Sequence, residues 1–148
     1  MFSGRYQYTI DDKGRLSIPA KFRDTLLSHD APALVLTNHL DGCIVAYPTK
    51  EWTALQDRIE QSDAALKKEA KNVLRFFYSG ATECPIDRLG RILVPQSLRN
   101  HGTIKKNVMI VGMNKKIEIW AEEAWSELVK KAASEVEKMT DIASQLGF

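Results

Sequence analysis

The stretch Ile10–Arg23, IDDKGRLSIPAKFR, returns at Ile86–Arg99 as IDRLGRILVPQSLR. Shifting the chain against itself by 76 positions sets Gly4 on Gly80, Asp11 on Asp87, Gly14 on Gly90, Arg15 on Arg91, Pro19 on Pro95 and Arg23 on Arg99. Past a short gap the match resumes: Leu34 and Leu36 answer Val108 and Ile110, and Tyr47, Trp52 and Leu55 answer Trp120, Trp125 and Leu128. This duplication limits the fold more than any other feature. Two copies are too few for a solenoid. Half of a 148-residue chain buries little surface alone and leaves strand edges open. The expected solution is a pseudo-two-fold unit in which each half completes the other.

Each copy reads as strand, tight turn, strand, short helical turn, two apolar strands and an amphipathic helix. Asp and Arg four apart suit a helical ion pair. Here Gly14 and Gly90 interrupt that interval, and the flanks alternate with period two: Tyr6, Tyr8 and Ile10 before, Leu16 and Ile18 after, Ile92 and Val94 in the second copy. DDKG and DRLG carry the Asp and Gly preferences of a type I turn, in which the carboxylate accepts backbone N–H groups and the glycine takes a positive φ. Asp11, Gly14 and Gly90 are thus turn-shaping residues, and the phrase is expected at a β-hairpin tip. Arg15 and Arg91 are expected to bond across the hairpin neck to Asp11 and Asp87. An exposed pair adds little stability; its value lies in holding a guanidinium at a fixed angle. Pro19 and Pro95 suit the first position of a helix. In PAKFRDTLL, Phe22 and Leu26 fall on the buried side, which leaves Lys21 and Arg23 to point outward.

Trp52, Leu55 and Ile59 at helical spacing after a Thr49 cap, followed by Leu66, Ala70, Val73, Leu74 and Phe77, predict amphipathic connecting helices. Trp125, Leu128, Val129, Ala132, Val136 and Met139 predict a similar stripe, used for core packing or for a subunit contact, and the tail TDIASQLGF is expected to fray. The predicted architecture is mainly β with helices, α+β by content. Repeats are expected at 5–48 and 81–124, a helical connector at 49–80, and a C-terminal helix and tail at 125–148.

Composition bears on function. Cys43 and Cys84 lack C-x-x-C spacing and read as reduced, buried thiols; His29, His39 and His101 are scattered, so neither a metal nor a cofactor is expected. MFSGRYQYTI has no basic region leading into an apolar stretch, and no apolar run approaches the roughly 18 residues that span a bilayer, which places the chain in the cytoplasm. The net charge of +2 is small but unevenly spread. Arg5, Lys13, Arg15, Lys21 and Arg23 outnumber Asp11 and Asp12 at the start, while Glu122, Glu123, Glu127, Glu135, Glu137 and Asp141 outnumber Lys130, Lys131 and Lys138 at the end. One face is therefore expected to meet a polyanion and another to face away. No nucleophile with a base, metal set or phosphate loop is spelled, which argues against an enzyme and against a small-molecule substrate. A scaffold and a DNA binder remain. Arginine and lysine at 5, 13 and 15 on one hairpin, with Arg88 and Arg91 on the other, favour DNA, because a two-stranded ribbon fits the major groove and Arg reads guanine bidentately. Lys13 stands where the second copy has Leu89, so the first hairpin is expected to face the DNA.

Two copies of D-x-x-G-R-x-x-x-P-x-x-x-R, the opening MFSG and the Tyr/Trp pairs make the chain, from Met1 to about Val129, resemble the MraZ family of bacterial transcriptional regulators. The resemblance implies an AbrB/SpoVT-like fold in which swapped hairpins form a β-barrel, here with both hairpins from one chain. It also implies a nucleoid-associated, ring-like homo-oligomer that binds direct repeats in the double-stranded promoter DNA of its own division and cell-wall operon, usually as a repressor. The family's Asp and Arg fall on Asp11 with Arg15 and on Asp87 with Arg91; Arg99 ends the second motif.

Overall fold

The computed structural model describes residues 1–28 and 33–148, so the His29 reading lies outside the described residues. Among the described residues there are eight strands: β1 Arg5–Thr9, β2 Arg15–Ser17, β3 Ala33–Asn38, β4 Ile44–Pro48, β5 Thr82–Pro85, β6 Arg91–Leu93, β7 Asn107–Met113 and β8 Lys116–Ala121. The same residues form six α-helices, α1 Ala20–Ser28, α2 Thr49–Glu60, α3 Ala70–Ser79, α4 Gln96–His101, α5 Glu122–Ser134 and α6 Val136–Leu146. Helical residues outnumber strand residues, so the chain is a mixed α+β protein rather than a mainly β one.

The halves complete each other strand by strand. Six strands form one sheet in the order β1-β7-β8-β4-β3-β5, and β2 pairs with β6 alone. Exchanging the two repeats turns that order into its own reverse. The pseudo-two-fold axis passes where equivalent residues pair with each other: Leu16 with Ile92 in the two-stranded ribbon and Val45 with Glu118 in the large sheet. Away from the axis the pairings repeat, Tyr8 opposite Val108 and Cys84 opposite Leu34.

This pairing corrects the hairpin reading. β1 and β2 do not pair with each other; β1 joins β7 and β2 joins β6. The Asp-x-x-Gly turn is a corner that carries the chain from the large sheet into the ribbon. The expected barrel is likewise an open arrangement, with β1 and β5 as the outer strands of the large sheet. The corner explains why: a three-residue β2 or β6, bounded by a turn and a proline, pairs with its counterpart and has no length left to bridge the sheet edges.

Between sheet, ribbon and helices lies a core in which Leu16, Ile18, Ile92 and Val94 are all but inaccessible, as the period-two pattern requires. Phe22 and Leu26 of α1 join it, with Phe2 and Tyr6 set edge-on to Phe22 at ring-centroid distances of 5.2 Å. Cys43 and Cys84 are buried and unbridged. Burial pushes the Cys43 thiol up to about 12 and the Cys84 thiol up to about 11, since a thiolate there would lose its hydration.

Helix boundaries depart from the sequence reading in small ways. Pro48, not Thr49, caps α2, and no side chain bonds there. Pro19 and Pro95 sit one place before the first helical residue, where their carbonyls accept from Arg23 and Arg99 N–H at 3.0 Å. Leu66 lies in a single 3₁₀ turn and is exposed rather than part of a packed stripe. The C-terminal stripe breaks at Glu135 into α5 and α6, and the tail is helical to Leu146. It closes on a left-handed Gly147, φ +97°, with Phe148 N–H donating to the Ala143 carbonyl at 2.9 Å. Core packing accounts for the start of that stripe, where Trp125 meets Trp120 edge-on at 6.1 Å, but not for its end: Val136 and Met139, like Ile142 and Leu146 beyond them, are more than half exposed. His39 and His101, scattered in sequence, meet where His101 Nε2 lies 2.9 Å from the His39 carbonyl.

Candidate nucleic-acid interface

The two corners are built alike. Asp11 Oδ1 accepts from Lys13 N–H at 3.0 Å and Arg15 N–H at 2.9 Å, and Asp11 Oδ2 accepts from Arg15 Nε. Asp87 Oδ1 accepts from Leu89 and Arg91 N–H, both at 2.9 Å, and its Oδ2 from Arg91 Nε at 3.0 Å. Gly14 and Gly90, at φ +89° and +80°, close each turn by donating to the carbonyls of Asp11 and Asp87. Asp11 and Asp87 N–H then donate back to the Arg15 and Arg91 carbonyls, the type I turn with a glycine bulge common in three-residue loops. The backbone N–H of the following arginine, more than its guanidinium, holds each carboxyl below the usual carboxylate range.

This geometry brings Arg15 and Arg91 together. In the ribbon Arg15 stands opposite Leu93 and Arg91 opposite Ser17, so the arginines are diagonal neighbours, about 7–8 Å apart at the backbone. With Leu16 and Ile92 turned into the core, Arg15, Ser17, Arg91 and Leu93 form the outward face, and both guanidinium side chains remain partly exposed. The ribbon extends by one bond at each end, Ile18 N–H to the Gly90 carbonyl and Val94 N–H to the Gly14 carbonyl. A single ribbon thus carries one motif arginine from each repeat, in place of two hairpins with one each.

The remaining basic residues divide. Lys13 and Arg88 are exposed at the two turns, and Lys21 is exposed on α1. Arg5 begins β1, six residues and roughly 20 Å of strand before Asp11, so it stands apart from the turn. Arg23 does not point outward. It crosses to the second turn, where its guanidinium lies against Gly90, and Arg99 reciprocates over Gly14. Lys105 and Lys106 escape a reading of the sequence, yet Ile10 N–H donates to the Lys106 carbonyl at 2.8 Å, which sets both exposed lysines beside the first turn. Their neighbourhood depends on β1–β7 pairing, and a KK dipeptide alone gives no sign of it.

Among the described residues, no group of three or more His, Cys, Asp or Glu could hold a metal ion, and no helix is long and apolar enough to cross a membrane. The site offers guanidinium groups held by backbone-bonded carboxylates, and it is the guanidinium groups that suit an anionic surface.

The family described as "MraZ protein, putative antitoxin-like" matches the chain twice, over residues 1–76 and 77–145. A protein of Ligilactobacillus salivarius named Transcriptional regulator MraZ is 42% identical over 146 residues, 99% of this chain and 96% of its own length. Proteins of the same name from Heliobacterium modesticaldum, 43% identical over 95% of each chain, and Caldicellulosiruptor saccharolyticus, 39% identical over the full length of both, are similar throughout. With both corners in place and similarity running end to end, the chain belongs to the MraZ family, whose members carry the name of transcriptional regulators rather than enzymes.

Proposed function

We propose that the protein is a sequence-specific DNA-binding transcriptional regulator that reads duplex DNA with the β2–β6 ribbon. The observation that carries this reading is the pair Arg15 and Arg91, each oriented by its own aspartate on the outward face of one ribbon. Two strands about 5 Å apart fit a major groove about 12 Å wide, and a guanidinium held at a fixed angle suits bidentate contact with guanine. Lys13, Arg88, Lys105 and Lys106 flank the ribbon and supply phosphate contacts, with the first turn the more basic of the two. Lys21 and Arg5 are outer phosphate contacts. In line with its family, the protein acts in the cytoplasm at the nucleoid and represses its own division and cell-wall operon through direct repeats in the promoter. It does so as a closed homo-oligomeric ring, in which the exposed apolar side of α5 and α6 meets the next copy. A ring multiplies modest single-ribbon binding through high effective concentration.

Fluorescence anisotropy on the promoter duplex tests the reading. Arg15→Ala and Arg91→Ala should each leave melting nearly unchanged while weakening binding by roughly 1–3 kcal/mol for every guanine left unread. The Arg15 loss should be the larger, and Lys105→Ala with Lys106→Ala should flatten the salt dependence by about 0.9 for each phosphate no longer neutralised. Equal binding to any duplex, or affinity indifferent to salt, would favour a scaffold without specific DNA binding.

A further inference from the structure

The last arginine of each motif is in the wrong place for a simple phosphate contact. Gly14 and Gly90 are buried although their turn neighbours Lys13 and Leu89 are exposed, and the cover comes from the opposite repeat. A Cβ added to Gly14 would lie 3.0 Å from Arg99 Nε and 3.1 Å from its Cζ. One added to Gly90 would lie 1.9 Å from a terminal nitrogen of Arg23 and 2.7 Å from its Cζ. Arg99 Nε donates to the Val94 carbonyl at 3.1 Å, and Val94 N–H in turn donates to the Gly14 carbonyl at 2.8 Å. Arg99 is therefore tied to the end of the strand that pairs with the first corner. Arg23 makes the matching crossing, but its Nε is buried without a hydrogen-bond acceptor among the described residues.

We propose that Arg99 and Arg23 are positioning residues, each latching the other repeat's Asp-x-x-Gly corner and so fixing the arginine that follows it, Arg15 or Arg91. The physical reason lies in the glycines. A positive-φ glycine leaves bare backbone at the corner, and a guanidinium packed over it excludes the water that would otherwise compete for the turn's hydrogen bonds. Because the latch comes from across the pseudo-two-fold axis, neither corner is complete without the other half of the chain. The first corner is the firmer, since only Arg99 pairs its Nε. The link to DNA rests on the proposed reading of the ribbon; the latch itself is a property of the free protein.

The test has two readouts. In free protein, Arg99→Met keeps the stem and removes the guanidinium; hydrogen exchange at the Gly14 and Arg15 amides should speed by about fivefold, as expected for loss of one typical hydrogen bond, with Gly90 and Arg91 little changed. Arg23→Met should speed Gly90 and Arg91 instead, by less. On promoter duplex, Arg99→Met should weaken binding at an unchanged salt slope, and the loss should shrink in an Arg15→Ala background. Unaltered exchange at Gly14, or a slope flattened by about 0.9 with a loss that adds to that of Arg15→Ala, would overturn the latch and make Arg99 a direct phosphate contact. If Arg99→Met does not fold, Arg99→Gln, which loses both the charge and the Nε donor but keeps a polar end, carries the same comparison. Wild-type protein that ignores the duplex while the exchange pattern holds would sink the DNA reading and leave the latch standing.

Discussion

Gly14 and Gly90 occupy the same motif position, yet their alanine substitutions should differ. Both have positive φ, so a Cβ costs about 1–2 kcal/mol at either site from backbone strain alone. At Gly14 the added atom would also lie 2.6 Å from the Val94 carbonyl oxygen, which belongs to the paired strand's backbone and is held in place by Val94 N–H bonding the Gly14 carbonyl. Relief there means opening that end of the ribbon, a further loss of about 1 kcal/mol for the hydrogen bond. At Gly90 the nearest atoms are those of the Arg23 side chain, which swings away without giving up an Nε bond. Gly14→Ala should therefore cost about 2–3 kcal/mol and Gly90→Ala about 1–2 kcal/mol. For a chain of this size that difference separates the melting temperatures by about 2–4 °C. Urea unfolding at one fixed protein concentration is the assay, since self-association would add a concentration-dependent term. In an Arg23→Ala background the Gly90 penalty should stay at its strain component, because Arg23 gives way at almost no cost, and the Gly14 penalty should stay as well. Equal penalties, or a larger one at Gly90, would refute the idea that the opposing atom's mobility decides the cost.

Three further outcomes are expected. Asp11 and Asp87 have carboxyls held below their ordinary value in the folded state, so the order they give their turns is complete above the ordinary carboxylate range and is lost as pH falls through the lowered values; Gly14 and Gly90 amide shifts followed by NMR should hold steady from neutral pH down to that range and move only below it. Met139→Lys with Ile142→Lys should yield smaller species in sedimentation without loss of helix signal, because both side chains are more than half exposed in the single chain; an unchanged assembly would place the subunit interface elsewhere. Cys43 and Cys84 should resist a thiol reagent at about pH 8 until denaturant is added, given thiols raised to about 12 and about 11, and rapid native labelling would contradict their burial.

What the sequence determined by itself was local or internal to the motif. Asp11 and Asp87 with Gly14 and Gly90 dictate a turn, because a carboxylate two residues before a free N–H and a glycine tolerant of positive φ are enough to specify it without help from elsewhere. Alternation placed Leu16, Ile18, Ile92 and Val94 in the core, and the doubled motif announced a two-fold unit. Alternation states which face of a strand is buried but carries no information about its partner, so the reading of each motif as its own hairpin followed the shortest connection. The tertiary structure chose otherwise: pairing across the repeats joins the two apolar strands at the Leu16–Ile92 pair and lets each half cover the other's edges. That choice carried the functional surface with it. It set Arg15 and Arg91 on one ribbon, drew Lys105 and Lys106 to the first corner, and turned Arg23 and Arg99 inward across the axis, none of which is a property of residues near one another in the chain.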